Sequence, residues 1–349
     1  MRAARFLALV AAVALVLSSC AKPPEPTTES SSAANQAAQP APAAPQAPLT
    51  IAVIPKGTTH EFWKSIHAGA NKAGEELGVE IVWKGPLKED NRDDQIKIVE
   101  DMTSKGVSGI VLAPLDDTAL RLPVQEATRK GIPVVIIDSG LQSEEYVSFV
   151  ATDNKNGGKI AGEHLAKLLG GKGKVIMLRY QEGSASTMER EAGFMEAMAA
   201  APGIQVVSSN QYGGATTETA YKASENVLAP YKQGGKLAVD GIFCPNESTT
   251  FGMLRALQDA GLAGKVKFVG FDSSEKLVAA LQAGEIHGLV LQDPMNMGYL
   301  GVKTMVEHLQ GKTVEKRIST GENLATPENM NEPRMQELLK PDFAKWLKE

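Results

Sequence analysis

The chain has 349 residues, of which 22% are charged and 43% are hydrophobic, and its formal net charge at pH 7 is −5. No basic patch accompanies this acidic balance, so the sequence gives no support for binding to nucleic acid. Its two cysteines, Cys20 and Cys244, also argue against a fold held together by disulfides.

The first 20 residues are typical of a secretory signal. Arg2 and Arg5 supply positive charge, and residues 6–17 form an apolar run of about twelve residues, whereas a membrane-spanning helix needs roughly twenty. The run ends in LSSC, which resembles the bacterial lipobox, where the cysteine is acylated and becomes the first residue of a lipoprotein. We therefore expect a lipid on Cys20, and the alternative is an ordinary signal cleaved near the same place.

Residues 21–48 consist largely of Pro, Ala, Ser, Thr and Gln. Such a segment cannot bury enough apolar surface to offset its ordering entropy, so it predicts a disordered tether. Together with acylated Cys20, it predicts a globular domain anchored by lipid to a bacterial membrane, in the periplasm or at the cell surface. Cys244, in the apolar stretch GIFCP, is then expected to be a small buried residue.

From Thr50 onward, short runs rich in Val, Ile and Leu alternate with longer segments of helical periodicity. Each run is nearly continuously apolar, as strands covered on both faces must be. The first five predicted strands are TIAVIP (50–55), VEIVWK (79–84), GIVLAP (109–114), PVVIID (133–138) and YVSFVA (146–151).

The same order then recurs along the chain. The second five predicted strands are KVIMLR (174–179), IQVVSS (204–209), DGIFCP (240–245), VKFVGF (266–271) and HGLVLQ (287–292). The segments between these runs carry apolar residues at helical spacing, as in TTFGMLRALQDAG and SEKLVAALQAG. We predict an α/β fold of two Rossmann-like lobes with parallel sheets and right-handed crossover helices.

Ligands of such sheets bind beyond the carboxyl ends of the strands. Polar side chains follow most of the predicted strands in both halves, namely Lys56, Lys84, Asp116, Asp138, Asn246, Asp272 and Gln292. An aromatic pair, Phe62 and Trp63, comes soon after the first strand and would cover the apolar face of a sugar ring, with Tyr212 contributing from the second half. The alternative for the pair is a place in the core.

This arrangement resembles the periplasmic sugar-binding proteins of ribose-binding type, the receptors of bacterial ABC importers. The resemblance covers residues 49 to about 324, and its most specific motifs are GGKIAGEHLAKLLGGKGKVIML, TMEREAGFMEAM, FCPNESTTFGMLRALQDAG, KFVGFDSS and HGLVLQDPMNMGYLG. It implies a type I periplasmic binding fold whose lobes are hinged by three crossings, near Thr152 and Asp153, near Asp293 and near Gly321. Lobe 1 would comprise residues 49–152 and 293–321, and lobe 2 residues 153–292 and 322–349.

The resemblance also implies a set of ligand-binding residues: His60, Phe62, Trp63, Asp138, Arg190, Asn246, Asp272 and Gln292. Two departures bear on the ligand. Ser139 follows Asp138 where ribose-type members usually have Arg, which makes ribose doubtful as the ligand. The stretches IPK and WKGP are similar to the rhamnose and autoinducer-2 receptors of the family, in which the lysine that matches Lys56 contacts ligand.

The function that the resemblance implies is capture of a sugar or polyol between the lobes and delivery to an ABC permease by hinged closure. A receptor that reports to a sensor kinase or chemoreceptor is the alternative. We expect a monomer with no cofactor and no metal site. A hydrolase would use Asp138 and Asp272 as acid and base, but we expect no enzymatic activity. A transcriptional repressor is not expected either, because the signal stands where such a protein would carry its helix-turn-helix. Alanine at either aspartate is expected to abolish binding with little loss of folding.

Overall fold

The computed structural model describes residues 48–343 and 345–347. The signal segment, Cys20 and the tether apart from Pro48 lie outside the described residues. Within the described part of the chain, no helix combines the length and apolar character that crossing a membrane requires.

The strands confirm all ten of the predicted ones and add four. In chain order they are β1 (Thr50–Ile54), β2 (Glu80–Trp83), β3 (Gly109–Leu112), β4 (Val134–Ile137), β5 (Ser148–Ala151), β6 (Lys172–Arg179), β7 (Gly203–Tyr212), β8 (Lys232–Gln233), β9 (Lys236–Leu237), β10 (Gly241–Phe243), β11 (Lys267–Phe271), β12 (Gly288–Leu291), β13 (Arg317–Ser319) and β14 (Asn323–Ala325). The four additions, β8, β9, β13 and β14, have two or three residues each, too few to show a periodic pattern.

Helices occupy most of the segments between the strands. They are α1 (Glu61–Leu77), α2 (Arg92–Lys105), α3 (Arg121–Arg129), α4 (Asn154–Leu168), α5 (Ala185–Ala199), α6 (Thr217–Leu228), α7 (Glu247–Asp259), α8 (Glu275–Gln282), α9 (Pro294–Leu309) and α10 (Pro333–Leu339). A short 3₁₀ turn at Ala229–Tyr231 follows α6.

Two six-stranded sheets share one topology. The first runs β2-β1-β3-β4-β5-β13 and the second β7-β6-β10-β11-β12-β14. Every strand pair of the first sheet is parallel, and in the second only β14 is antiparallel to its neighbour. The first lobe consists of the first sheet with α1, α2, α3 and α9, and the second lobe of the second sheet with the other helices. The predicted fold class is confirmed.

Glycines allow helices within each lobe to pack closely. In the second lobe, a methyl group on Gly158 of α4 would overlap the carbonyl oxygen of Arg190 on α5. In the first lobe, a methyl group on Gly69 of α1 would meet the carbonyl oxygen of Met295 on α9 in the same way. The close approach holds α5, which carries Arg190, against α4. Cys244 is fully buried in the second lobe, as predicted.

The chain passes from one sheet to the other at three places that contain the four predicted hinge residues. Thr152 and Asp153 lie between β5 and α4, Asp293 lies between β12 and α9, and Gly321 lies between β13 and β14. The first two crossings touch, because the Thr152 hydroxyl donates to Gln292 Oε1 at 2.9 Å. Asp153 and Asp293 also cap the helices that follow them.

The C-terminal stretch, which the predicted division assigns to lobe 2, contacts both lobes. Met335, Leu338 and Leu339 of α10 are buried in a core cluster of the second lobe, as predicted. Beyond α10, however, the carbonyl oxygen of Trp346 accepts a hydrogen bond at 3.0 Å from Asn71 on α1 of the first lobe.

Candidate functional site

Two aspartates occupy equivalent strand ends in the two lobes. Asp138 follows β4 and Asp272 follows β11, and each of these strands is the fourth in its sheet. Their φ angles are 61° and 69°, and no other non-glycine residue in the described part of the chain has a positive φ. The left-handed conformation is unfavourable for most side chains but is tolerated by Asp. Such backbone strain concentrates at functional sites, and here it marks both lobes at matching points.

Lys56, at the end of β1, joins Asp138 to the second lobe. Its ammonium group lies 2.8 Å from Asp138 Oδ2 and donates to the hydroxyls of Ser184 at 3.3 Å and Ser186 at 3.0 Å. The contact between Lys56 and Asp138 is an ion pair, because Asp138 Oδ2 makes no hydrogen bond of suitable geometry. This oxygen can therefore still accept a hydrogen bond.

The loop that carries Lys56 is held by a buried amide. Gln95 of α2 donates to the carbonyl oxygens of Pro55 at 2.9 Å and Ala113 at 2.8 Å, and it accepts from the N–H of Leu115 at 2.8 Å. The ends of β1 and β3 are therefore fixed beside each other, and the start of the Lys56 side chain is fixed with them.

Asp272 is held by two neighbours. Gln292 Nε2 donates to its Oδ1 at 2.7 Å, and the N–H of Glu247 donates to its Oδ2 at 2.9 Å. Burial raises the pKa of Asp272, although the charge of Arg190, 4.0 Å away, acts against this rise. The carboxylate is thus a desolvated acceptor at the strand end, fixed in direction by its two donors.

Arg190 carries an unpaired donor. Its guanidinium group lies over the Phe271 ring, 4.1 Å from the ring centroid. Nε donates to Asn154 Oδ1 at 2.9 Å, and Nη1 donates to the carbonyl oxygen of Pro245 at 3.0 Å. Nη2 has no partner, although the residue is only 2% exposed. An unsatisfied charged donor is costly, so this nitrogen requires an acceptor that the chain does not provide.

The aromatic pair serves the core and the site together. Phe62 and Trp63 are 8% and 2% exposed, meet edge to face with ring centroids 4.9 Å apart, and belong to an apolar cluster of the first lobe. Both also line the cavity between the lobes. The pair therefore belongs to the core of the first lobe and also reaches the cavity, so the core and stacking interpretations are compatible.

Glu89 is a buried centre of hydrogen bonds that sequence reasoning missed. Its Oε1 accepts from Trp63 Nε1 at 2.7 Å and pairs with His60 Nδ1 at 2.5 Å, and its Oε2 accepts from the Tyr180 hydroxyl of the second lobe at 2.7 Å. Gly57 permits this approach, since a methyl group there would lie 2.8 Å from the Glu89 side chain.

The charges of Glu89 and His60 stabilise each other. Burial alone would lower the pKa of His60, but the Glu89 carboxylate beside its ring raises it to about 9. Burial would raise the pKa of Glu89, but His60 and then Lys56 lower it to about 2. Both groups are therefore charged at neutral pH.

These groups enclose a cavity between the two lobes. Its lining comprises Lys56, His60, Phe62, Trp63, Glu89, Asp138, Tyr180, Ser184, Ser186, Thr187, Arg190, Asn246, Glu247, Asp272 and Gln292. The space that remains is about 20 Å³, room for about one water molecule. A surface groove of about 870 Å³ beside the C-terminal stretch is larger, but the strained residues Asp138 and Asp272 and the unpaired nitrogen of Arg190 belong to the lining of the smaller cavity.

The structure brings nine of the ten predicted ligand-binding residues to this cavity. The exception is Tyr212, which is 39% exposed at the end of the edge strand β7 with the Arg179 guanidinium over its ring. Tyr212 is therefore corrected to a surface position, because an edge strand faces solvent. Two other strand-end residues also lie elsewhere: Lys84 pairs with Asp101, and Asp116 pairs with Arg92.

Several lining residues were not predicted. Tyr180 directly follows β6 and Glu247 directly follows Asn246, so a stricter use of the strand-end rule would have found both. Glu89, Ser184, Ser186 and Thr187 lie in or next to loops, and no local pattern distinguishes them. Among the described residues, no group of three or more His, Cys, Asp or Glu side chains is placed to hold a metal ion.

Comparison with protein families gives one match that spans most of the chain. The model described as "Periplasmic binding protein domain" matches residues 51–313. Among curated relatives, the ribose import binding protein RbsB of Haemophilus influenzae is 34% identical over 272 residues, which cover 77% of this chain and 88% of that protein. The D-ribose/D-allose-binding protein of Pseudomonas aeruginosa is 32% identical over 273 residues, covering 76% and 83%.

Solved structures agree with these matches. A carbohydrate transporter solute-binding protein from Agrobacterium radiobacter in complex with D-arabinose has a TM-score of 0.80 and 34% identity, covering 84% of this chain and 99% of that one. An ABC transporter solute-binding protein from Agrobacterium vitis with bound D-fucose has a TM-score of 0.79 and 35% identity, covering 83% and 99%. The relatives are sugar-binding transport proteins rather than enzymes, which confirms the expectation that this chain is not an enzyme.

Proposed function

Because the chain belongs to the periplasmic binding protein family and is a sugar-binding component of an ABC transporter, we propose that it captures a neutral monosaccharide in the cavity between its lobes. The observation that carries this proposal is the convergence of buried polar groups from both sheets on one cavity, with Arg190 Nη2 left without a partner. A sugar hydroxyl supplies the acceptor that this nitrogen lacks, and other hydroxyls donate to the strand-end carboxylates Asp138 and Asp272. Phe62 and Trp63 cover the apolar face of the ring.

Lys56 takes the place of the arginine that ribose-type members have after the fourth strand. Serine is neutral, so position 139 supplies no charge. The Ser139 side chain is fully buried, and its hydroxyl accepts a hydrogen bond from the N–H of Ser186 at 3.0 Å. The cation beside Asp138 comes instead from Lys56 on another strand. A lysine presents a compact charge rather than a planar fork of donors, so the hydroxyl pattern preferred near Asp138 differs from that of a ribose site. The ligands of the relatives, D-ribose, D-allose, D-arabinose and D-fucose, are the sugars to test first.

Hinged closure is the mechanism that the cavity supports. A monosaccharide cannot enter a space of about 20 Å³, so the lobes must separate to admit one. We propose that the crossings at Thr152–Asp153, Asp293 and Gly321 act as the hinge between lobe 1 (49–152 and 293–321) and lobe 2 (153–292 and 322–349). The lobes then close on the sugar around a cavity wider than the present one. The sugar stabilises that closed form because it contacts both lobes only there, and the permease recognises it.

Thermal unfolding in the presence of sugars tests the proposed function. The purified protein is melted with D-ribose, D-allose, D-arabinose, D-fucose and xylitol, and one of these is expected to raise the melting temperature by several degrees at saturating concentration. An Arg190→Lys variant, which lacks the unpaired nitrogen, is expected to lose that shift. If no sugar or polyol shifts the wild-type melt, sugar capture by this cavity is wrong.

The anchor needs its own experiment. We propose that Cys20 is acylated and that the protein acts as a monomer held at a bacterial membrane. Metabolic labelling with an alkyne fatty acid should mark the wild-type protein and leave a Cys20→Ser variant unlabelled. Equal labelling of both proteins would contradict acylation at Cys20, and light scattering of the detergent-free Cys20→Ser protein would test the monomer.

A further inference from the structure

Glu247 reaches from the second lobe to the first helix of the first lobe. It is the first residue of α7, and its carboxylate accepts hydrogen bonds from the backbone N–H groups of Glu61 at 3.4 Å and Phe62 at 3.2 Å. Those two N–H groups open α1, where intrahelical acceptors are absent. A carboxylate from one lobe therefore binds the positive end of a helix in the other.

Helix α1 has no side-chain cap of its own. His60 occupies its N-cap position but makes no capping hydrogen bond, because its ring is engaged with Glu89. By contrast, α7 begins with a complete capping box formed by Asn246 and Thr249. The acceptor that α1 lacks in its own lobe is supplied across the cavity.

The same residue is tied to the ligand-binding aspartate of the second lobe. The N–H of Glu247 donates to Asp272 Oδ2 at 2.9 Å, while the carboxylate of Glu247 caps the turn that carries His60, Phe62 and Trp63. One residue thus links the polar wall of the cavity in the second lobe to the aromatic wall in the first.

We propose that Glu247 is a positioning residue of the sugar site, which caps α1 only when the lobes are closed and thereby slows sugar release. This inference rests on the proposed capture of a sugar by hinged closure. When the lobes separate, α1 loses its acceptor and the carboxylate returns to water, so the cap stabilises the closed form alone. Removing it should change the dissociation rate more than the association rate, because the cap forms after the sugar has entered.

Protonation of Glu247 gives the inference a second readout. The groups facing its carboxylate are His60 and Glu61 at the start of α1, Asp272 beside its own N–H, and Arg190 on α5 on the far side of Asp272. Burial raises the pKa of Glu247 to about 7, with His60 opposing this rise and Asp272 adding to it.

The direction of the pH effect follows from this rise. In the open form the carboxyl is hydrated and keeps a pKa nearer its ordinary value of 4.5. Closure therefore favours proton uptake, and the closed form is expected to weaken as pH rises from 4.5 through 7. Asp272, whose pKa is also raised by burial, contributes in the same direction, so only a comparison with a Glu247 variant isolates the share of Glu247.

Stopped-flow dissociation kinetics test the proposal with the full-length protein and its variants. The probes are D-ribose, D-allose, D-arabinose and D-fucose, each followed through the intrinsic fluorescence change on release. Glu247→Ala is expected to release sugar roughly 5 to 30 times faster than wild type, the upper part of the range for a lost helix cap. The matched control is Glu275→Ala, which removes an exposed acidic residue at the same position of α8.

Glu247→Gln separates positioning from a general structural role. Its amide oxygen still accepts from α1, so at pH 5.5 its dissociation rate should stay within about threefold of wild type. Between pH 5.5 and 8.5 the wild-type rate should rise, and the glutamine variant should show a smaller rise because it cannot ionise.

The outcomes distinguish the inference from the function on which it rests. Wild-type binding with an unchanged dissociation rate in Glu247→Ala would overturn the inference and leave sugar capture standing. A wild type whose melting temperature is shifted by none of the five compounds of the thermal screen would overturn both. If Glu247→Ala does not fold, as judged by circular dichroism, the pH profile of Glu247→Gln decides, and a profile identical to wild type would refute the proposal.

Discussion

Asp272→Asn is expected to separate ligand binding from stability. The ionised carboxylate accepts two hydrogen bonds, from Gln292 Nε2 and from the N–H of Glu247. Asparagine keeps one acceptor oxygen, so the fold loses one hydrogen bond to a charged group, worth about 1.5 to 3 kcal/mol. Asparagine also tolerates the φ of 69° and removes a buried charge, and the raised pKa of Asp272 indicates that this charge is unfavourable in the folded protein. Removal of the buried charge offsets part of the lost hydrogen bond, so stability at pH 7 should fall by no more than about 2 kcal/mol.

Binding should respond much more strongly than folding. A hydrogen bond to a charged group contributes about 1.5 to 3 kcal/mol, so the dissociation constant should rise roughly 10- to 150-fold. Urea unfolding followed by circular dichroism measures the stability, and titration calorimetry with the sugar found by thermal shift measures the binding. A variant that loses more than about 2 kcal/mol of stability yet binds as wild type would show that Asp272 is a structural residue.

The backbone at this position also revises the expectation that alanine leaves folding nearly unchanged. Asp272→Ala removes both acceptors and places a side chain with no local hydrogen bond in the left-handed region, at a total cost of about 3 kcal/mol. Asp272→Gly removes the same acceptors without the steric strain and serves as the matched control. If the two variants are equally stable, the strain argument fails.

Four further predictions concern packing and charge. Trp63→Phe should cost about 1 kcal/mol of stability, because the hydrogen bond to Glu89 is lost. Trp63→Ala should cost roughly 3 to 5 kcal/mol, because Trp63 is only 2% exposed. Equal losses of the two variants in urea unfolding would contradict this. Gly158→Ala should lower stability by about 1 to 3 kcal/mol, because α4 and α5 must move apart. Gly140→Ala is the control and should be neutral in the same assay, because its new methyl group would lie 3.7 Å from the nearest atom, Ala185 Cβ. The raised pKa of His60 predicts a contribution to stability that is complete below pH 6.5 and is lost as pH rises through about 9. The melting temperature of the wild type should therefore fall at alkaline pH, and that of His60→Gln should fall less. The lowered pKa of Glu89 predicts a contribution that is complete above pH 4.5 and lost as pH falls through about 2, so Glu89→Gln should flatten the acid limb of that profile.

Local patterns in the sequence determined the architecture and much of the site. Ten of the strands were predictable, because most of them are parallel strands covered on both faces, which must be nearly continuously apolar. Asp138, Asn246, Asp272 and Gln292 were predictable for a related reason, since a polar residue directly after such a strand lies at the ligand-binding edge of its sheet. These inferences needed only a residue and its neighbours in the chain.

Only the tertiary structure decided which groups face each other across the cavity. Lys56 meets Ser184 and Ser186 at sequence separations of 128 and 130, and Glu89 meets Tyr180 at a separation of 91. No periodicity connects residues so far apart, because their contact depends on how two separately folded lobes meet. Glu247 shows this most clearly: at the start of its own helix it reads as an ordinary first-turn acid, and only the position of the other lobe makes it the cap of α1.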